Sequence, residues 1–138
     1  MYDSAQLNKL LKARRAQQNK LLREYRFTPN EAEVLISLAE DPRHDKACDI
    51  SARRGISRSL VCRSVYSLAQ KGYLELQTDP EDRRYTHLIL SEKARPIIAS
   101  LRELQSCMSQ RLTQGIPEGE LNIFEQVLAM MLKNAHAD

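Results

Sequence analysis

Between Asp45 and Gly72 the chain carries two short amphipathic segments separated by a glycine. The first, Lys46 to Arg54, brings Ala47, Ile50 and Ser51 inward, with Asp45 placed to cap it. Gly55 breaks the pattern, and Ser57 then caps a second segment running to Lys71. There Val61, Val65 and Leu68 recur at spacings of four and three, the period of one buried helix face. Gly72 supplies the left-handed stop. Two short helices joined by a tight glycine-containing turn form a helix-turn-helix. No other feature of the chain restricts its fold as strongly.

The flanking segments extend the frame. Residues 3 to 24 read as a helix with a thin apolar stripe of Leu7, Leu10, Leu11 and Leu21, which needs a larger body to pack against. Thr28-Pro29-Asn30-Glu31 is a helix start: Thr28 caps, Pro29 fits the first turn and Glu31 completes a capping box. That helix carries Val34, Leu35, Leu38 and Ala39 and ends at Asp41-Pro42. After Gly72, Tyr73 to Thr78 alternates as a strand, Asp79-Pro80-Glu81-Asp82 is turn chemistry, and Tyr85 to Leu90 returns. The result is a hairpin, or wing, with a charged tip. A long helix follows from Ser91 to about Gln114, and Pro117 begins the last, which holds Leu121, Phe124, Val127, Leu128, Met131 and Leu132. The expected fold is mainly α with a small β-hairpin. The apolar surface of the two C-terminal helices exceeds what one small winged domain covers, and a second copy would hide it.

Composition bears on function by exclusion. The 138 residues suit about one domain, and 42% apolar with 28% charged residues is ordinary globular usage. No apolar run approaches a membrane span of roughly 20 residues, and the first 25 residues lack the apolar region of a secretory signal. Three cysteines, Cys48, Cys62 and Cys107, form no disulfide framework, which points to a reducing cytoplasm. There is no glycine-rich phosphate loop and no nucleophile elbow; His44, His87 and His136 are scattered without an evident paired acid. Neither an enzyme nor a cofactor is expected. His44, Asp45 and Cys48 lie close enough to suggest a metal site but match no strong template, and Asp45 is better read as a cap. His87 reads as a surface strand residue.

Charge is concentrated rather than large. The net +3 comes from 21 Lys and Arg against 18 Asp and Glu. Arg53, Arg54, Arg58, Arg63, Lys71, Arg83 and Arg84 share their stretch with four acids, and the remainder of the chain holds fourteen of each sign. On the second helix of the pair, Arg58, Ser59, Cys62, Arg63 and Tyr66 lie opposite the apolar face. Two arginines among small polar residues suit a major groove about 12 Å wide. Ser57, Arg54 and Lys71 suit phosphate contacts. An arginine at the hairpin tip suits a narrow minor groove, with Asp82 holding its geometry.

These residues resemble a known family. Ile50 to Ser57, Arg58 to Arg63, Leu68 through Lys71-Gly72-Tyr73-Leu74, the Asp79-Pro80-Glu81-Asp82-Arg83-Arg84 wing and Leu90 to Ala94 are similar to the MarR family of bacterial transcriptional regulators. The resemblance is close over about residues 28 to 95. It implies a winged helix-turn-helix whose N- and C-terminal helices form a homodimer interface and which binds double-stranded DNA at palindromic operators. On that reading residues 1–138 are one domain: 27–95 form the DNA-binding lobe, and 1–26 with 96–138 the dimerisation lobe. Asp82 and Arg84 match the wing motif that engages the minor groove. The resemblance also implies a small aromatic effector held between dimer helices and DNA-binding lobe, and a repressor released by it. The chain departs from the family at Arg54, where an apolar residue is usual, at Ser51, where Ala is usual, and at Ala94, where Gly is usual. Two rival functions remain: a thiol-based redox regulator acting through Cys62, and a winged-helix protein-interaction module without DNA binding.

Overall fold

A computed structural model describes residues 3–137; the Leu21 side chain, part of the expected N-terminal stripe, lies outside the described residues. The element order is α1 (Ser4–Leu22), a single 3-10 turn (Arg23–Tyr25), α2 (Pro29–Glu40), α3 (Ala47–Arg54), α4 (Arg58–Gln70), β1 (Leu74–Thr78), β2 (Thr86–Leu90), α5 (Ala94–Thr113) and α6 (Glu118–Ala135). None of the described helices is long and apolar enough to cross a membrane.

The chain divides into two compact units, one through Gln105 and one from Ser106, so that α5 runs through the boundary. In the first unit α2 is the central element. Val34, Leu35, Ile36 and Leu38 are essentially inaccessible to solvent and meet Ile50 of α3, Val61 and Leu68 of α4, Leu74 of β1, Leu88 of β2 and Ile98 and Leu101 of α5 in one apolar cluster. The capping box at its start forms as the sequence requires: Glu31 N–H donates to Thr28 Oγ1 at 3.1 Å, and Thr28 N–H donates to Glu31 Oε1 at 3.2 Å. Between α3 and α4 the chain turns at Gly55, whose φ of +65° is a left-handed conformation that side chains with a Cβ resist. Ser51 Oγ donates across the same turn to the Ile56 carbonyl at 2.6 Å.

β1 and β2 pair antiparallel, with Leu74 opposite Leu90 and Thr78 opposite Thr86. The loop before α3 adds a further backbone bond to this hairpin, from Leu88 N–H to the Asp45 carbonyl at 2.9 Å. Asp45 therefore does not cap α3. Lys46 holds the N-cap position, where its N–H donates to Asp49 Oδ2 at 3.2 Å, and the Asp45 carboxylate is turned to His87. Pro117 likewise stands one position outside α6, as its N-cap.

In the second unit α6 has no buried residue; Ile123, Phe124, Val127, Leu128 and Met131 are all exposed. Leu112 of α5 is also exposed. In the first unit Leu7, Leu10 and Leu11 of α1 are exposed in the same way.

Candidate nucleic-acid interface

The surface of α4 follows from how the helix is anchored. Ser57 caps it, accepting the Leu60 N–H on Oγ at 3.3 Å. Val61, Ser64, Val65 and Leu68 are buried, and α2 and α3 pack against that side. With 3.6 residues per turn the opposite face is then obliged to point outward. Arg58, Ser59, Cys62, Arg63 and Tyr66 are all exposed there. Tyr66 is 65% exposed, and its hydroxyl accepts from Gln70 Nε2 at 2.9 Å. Among the described residues Arg58 and Arg63 make no ion pair, so both guanidinium groups keep their full set of donors for an external partner.

Other basic residues of the same stretch are engaged inside the protein. Arg53 donates through Nη1 to the Ser37 carbonyl at 3.0 Å and to Ser37 Oγ at 3.1 Å. Arg54, expected from the sequence to meet phosphate, is instead paired with Glu33 at 3.3 Å and Glu40 at 2.6 Å, with its side chain one-fifth exposed. Lys71, also expected at phosphate, is paired with the buried Glu31 at 2.8 Å and donates to the Arg26 carbonyl at 3.1 Å. The acids responsible are 14 to 40 residues away along the chain. Folding on α2 brings them within reach, which spacing along α3 and α4 does not announce.

The wing is ordered by its own acids. Asp79 Oδ1 accepts the N–H groups of Glu81 at 2.8 Å and Asp82 at 3.0 Å. Asp82 in turn grips Arg84 by three bonds: Arg84 N–H at 3.1 Å, Nε at 3.0 Å and Nη2 at 2.9 Å. These bonds from Arg84 hold the Asp82 carboxyl below the ordinary carboxylate range. The Arg84 side chain remains 83% exposed. It is a guanidinium fixed at its root and open at its tip. Tyr85 lies beside it, with Lys46 Nζ 4.0 Å above the ring centroid.

His87 is no plain surface residue. Its Nδ1 stands 2.7 Å from Asp45 Oδ1 and its Nε2 stands 2.7 Å from Asp79 Oδ2. The paired acids the sequence did not reveal are two, 42 and 8 residues away. His44 is likewise 2.6 Å from Asp41 Oδ2. Asp45 is committed to His87 and His44 to Asp41, and among the described residues no group of three or more His, Cys, Asp or Glu side chains is arranged to hold a metal ion.

Between α4 and the wing lies an open cleft of about 350 Å³, bordered by Arg58, Cys62, Tyr66, Leu76 and Arg84. Residues from both elements thus share one surface, with cations on each side of a shallow apolar floor.

A family model described as MarR family matches residues 27–84, which hold α2, α3, α4, β1 and the wing turn. Over those residues the chain is similar to the MarR family. Its fold is similar to that of the transcriptional regulator PA3341, at 25% identity over 97% of this chain and 98% of that one, with a TM-score of 0.86. It is also similar to a MarR transcriptional regulator from Methanosarcina mazei Go1, at 18% identity over 96% and 94% of the two chains, with a TM-score of 0.82. CouR from Rhodococcus jostii RHA1, solved bound to p-coumaroyl-CoA, matches at 21% identity over 91% and 87%, with a TM-score of 0.80. A MarR-family fold points to a regulatory rather than an enzymatic role.

Proposed function

We propose that this chain is a MarR-family regulator, a sequence-specific reader of double-stranded DNA that acts in the cytoplasm as a homodimeric repressor on a palindromic operator. The observation that carries the reading is the pairing of two unpartnered arginines on the exposed face of α4, Arg58 and Arg63, with a third, Arg84, held open on the adjacent wing by Asp82. Arg58, Ser59, Cys62, Arg63 and Tyr66 face base edges in the major groove, where an arginine fork matches guanine O6 and N7. Ser57 and the first N–H groups of α4 take a phosphate. Arg84 enters the minor groove, with Asp82 as its holder. Arg54 and Lys71 contribute indirectly, by fixing α3 and α4 on α2.

Dimerisation is supported by the bare apolar side chains of α1 and α6. In this reading 27–95 form the DNA-binding lobe and 1–26 with 96–138 the dimerisation lobe. Two copies of α4 then lie about one DNA turn apart, roughly 34 Å. A small aromatic effector between the lobes changes that separation and releases the operator; the p-coumaroyl-CoA bound to CouR supports an aromatic ligand class.

Selection of bound genomic fragments, followed by affinity measurement across salt concentrations, tests the proposal. Each neutralised phosphate contributes about −0.9 to the slope of log K against log salt. Several such contacts are expected, together with a loss of about 1–3 kcal/mol on Arg84→Ala. A chain that selects no duplex is instead a protein-interaction module. Loss of binding on oxidation that Cys62→Ser abolishes assigns release to the thiol rather than to a ligand.

A further inference from the structure

The wing arginine is tied to the body of the domain through a continuous set of hydrogen bonds. Arg84 is held by Asp82. The Asp82 N–H, with that of Glu81, is held by Asp79 Oδ1. The other oxygen of Asp79 meets His87 Nε2 at 2.7 Å, and His87 Nδ1 meets Asp45 at 2.7 Å. Asp45 is itself fixed to β2 by its carbonyl, which accepts from Leu88 N–H. His87 is thus the only side chain in this series that joins the turn to the loop before α3.

The bonding on either side of the imidazole dictates its form. An ionised carboxylate only accepts hydrogen bonds. Facing one on each nitrogen, the ring makes both bonds only with a proton on each. A neutral ring turns a lone pair toward one of the two acids. We propose that His87 is a positioning residue for the wing: as a cation it fastens the Asp79 turn, and through it Arg84, to the loop before α3, and on losing a proton it lets go of one carboxylate. The inference rests on the DNA-binding reading only for its consequence, not for the brace itself.

Among the described residues His87 has only Asp45 and Asp79 as charged partners. Glu31 of α2 is paired with Lys71, and Glu33 and Glu40 with Arg54. Asp41 is engaged by His44, Arg43 and Arg53. Lys46 is turned over Tyr85. Across the hairpin His87 meets the uncharged Gln77. The bonds to Asp45 and then to Asp79 raise the affinity of His87 for its proton above the ordinary imidazole range. A raised value means that the brace is complete below the ordinary value near 6.5 and is lost as pH climbs through the raised one.

The test has two arms. Imidazole ¹⁵N shifts and backbone ¹⁵N relaxation of Glu81, Asp82 and Arg84 are followed with pH in the DNA-free protein, full chain. Both His87 nitrogens are expected to be protonated at pH 6, with the three wing amides gaining mobility as His87 titrates. A neutral His87 at pH 6, or a wing whose mobility ignores that titration, overturns the brace whether or not the protein binds DNA. Binding of a duplex selected by the wild type is then measured by fluorescence anisotropy over the same range. Affinity is expected to fall roughly three- to tenfold as His87 deprotonates, the worth of one hydrogen bond. The step is expected to vanish in His87→Gln and in Arg84→Ala. A step that persists in Arg84→Ala assigns the effect to the imidazolium charge and overturns the positioning role. If no duplex is bound, the DNA-binding reading fails while the first arm still decides the brace.

Discussion

Replacing the basic residues one at a time separates those that hold the fold from those that face a partner, and Arg54 against Arg58 is the sharpest comparison. Arg54 pairs with Glu33 at 3.3 Å and Glu40 at 2.6 Å, and its side chain and that of Glu33 are both about one-fifth exposed. An exposed ion pair contributes about 0.2–1 kcal/mol, and removing one partner of a more sheltered pair also leaves an uncompensated charge. Two such pairs place the cost of Arg54→Ala at about 1–2 kcal/mol. For a chain of this length that lowers Tm by roughly 3–8 °C. Arg58 makes no ion pair among the described residues, so Arg58→Ala is expected to stay within about 0.5 kcal/mol of the wild type in stability. Its effect falls on DNA: a lost bidentate base contact weakens binding by about 1–3 kcal/mol and relaxes specificity at one base pair. Thermal unfolding at one fixed protein concentration and anisotropy titration on the selected duplex read the two quantities separately. The reasoning is refuted if Arg54→Ala keeps the wild-type Tm but loses affinity with a shallower salt slope, since that is how a phosphate contact behaves. It is equally refuted if Arg58→Ala unfolds the domain.

Three further outcomes are expected. Leu35 is fully buried in the α2 cluster, so Leu35→Ala is expected to cost about 2–5 kcal/mol in denaturant unfolding; a smaller loss contradicts the assigned core. Hydrogen bonds from His87 and from the Glu81 and Asp82 N–H groups hold Asp79 at about 2, so its stabilising contribution is complete above the ordinary value near 3.8 and disappears as pH falls through about 2; carboxyl ¹³C titration checks this, and a midpoint near 3.8 contradicts it. Phe124→Glu with Val127→Glu on α6 is expected to halve the sedimentation-equilibrium mass while the first unit keeps its unfolding transition; an unchanged mass removes α6 from the interface.

What the sequence disclosed depended on the range of the interaction. The Thr28–Glu31 capping box, the Gly55 turn and the alternation of faces along α4 are local, set within three or four residues, and all three appear as expected. Asp82 and Arg84, two residues apart, were readable for the same reason. The partners of Arg54, Lys71 and His87 were not, because each pairing is created by packing elements far apart in the chain. A short acidic residue ahead of a helix is ordinarily its cap, and at Asp45 that local preference lost to a histidine 42 residues away. Of the seven basic residues between Arg53 and Arg84, three, Arg53, Arg54 and Lys71, are engaged within the protein.

Dimethyl sulfate footprinting on the selected duplex tests the central claim most directly, since it reports guanine N7 in the major groove and adenine N3 in the minor groove together. Two symmetric sets of guanine protections about one helical turn apart, flanked by adenine protections that Arg84→Ala removes, are expected. A saturated complex with a single protected patch, or with neither groove protected, contradicts a paired readout by α4 and the wing.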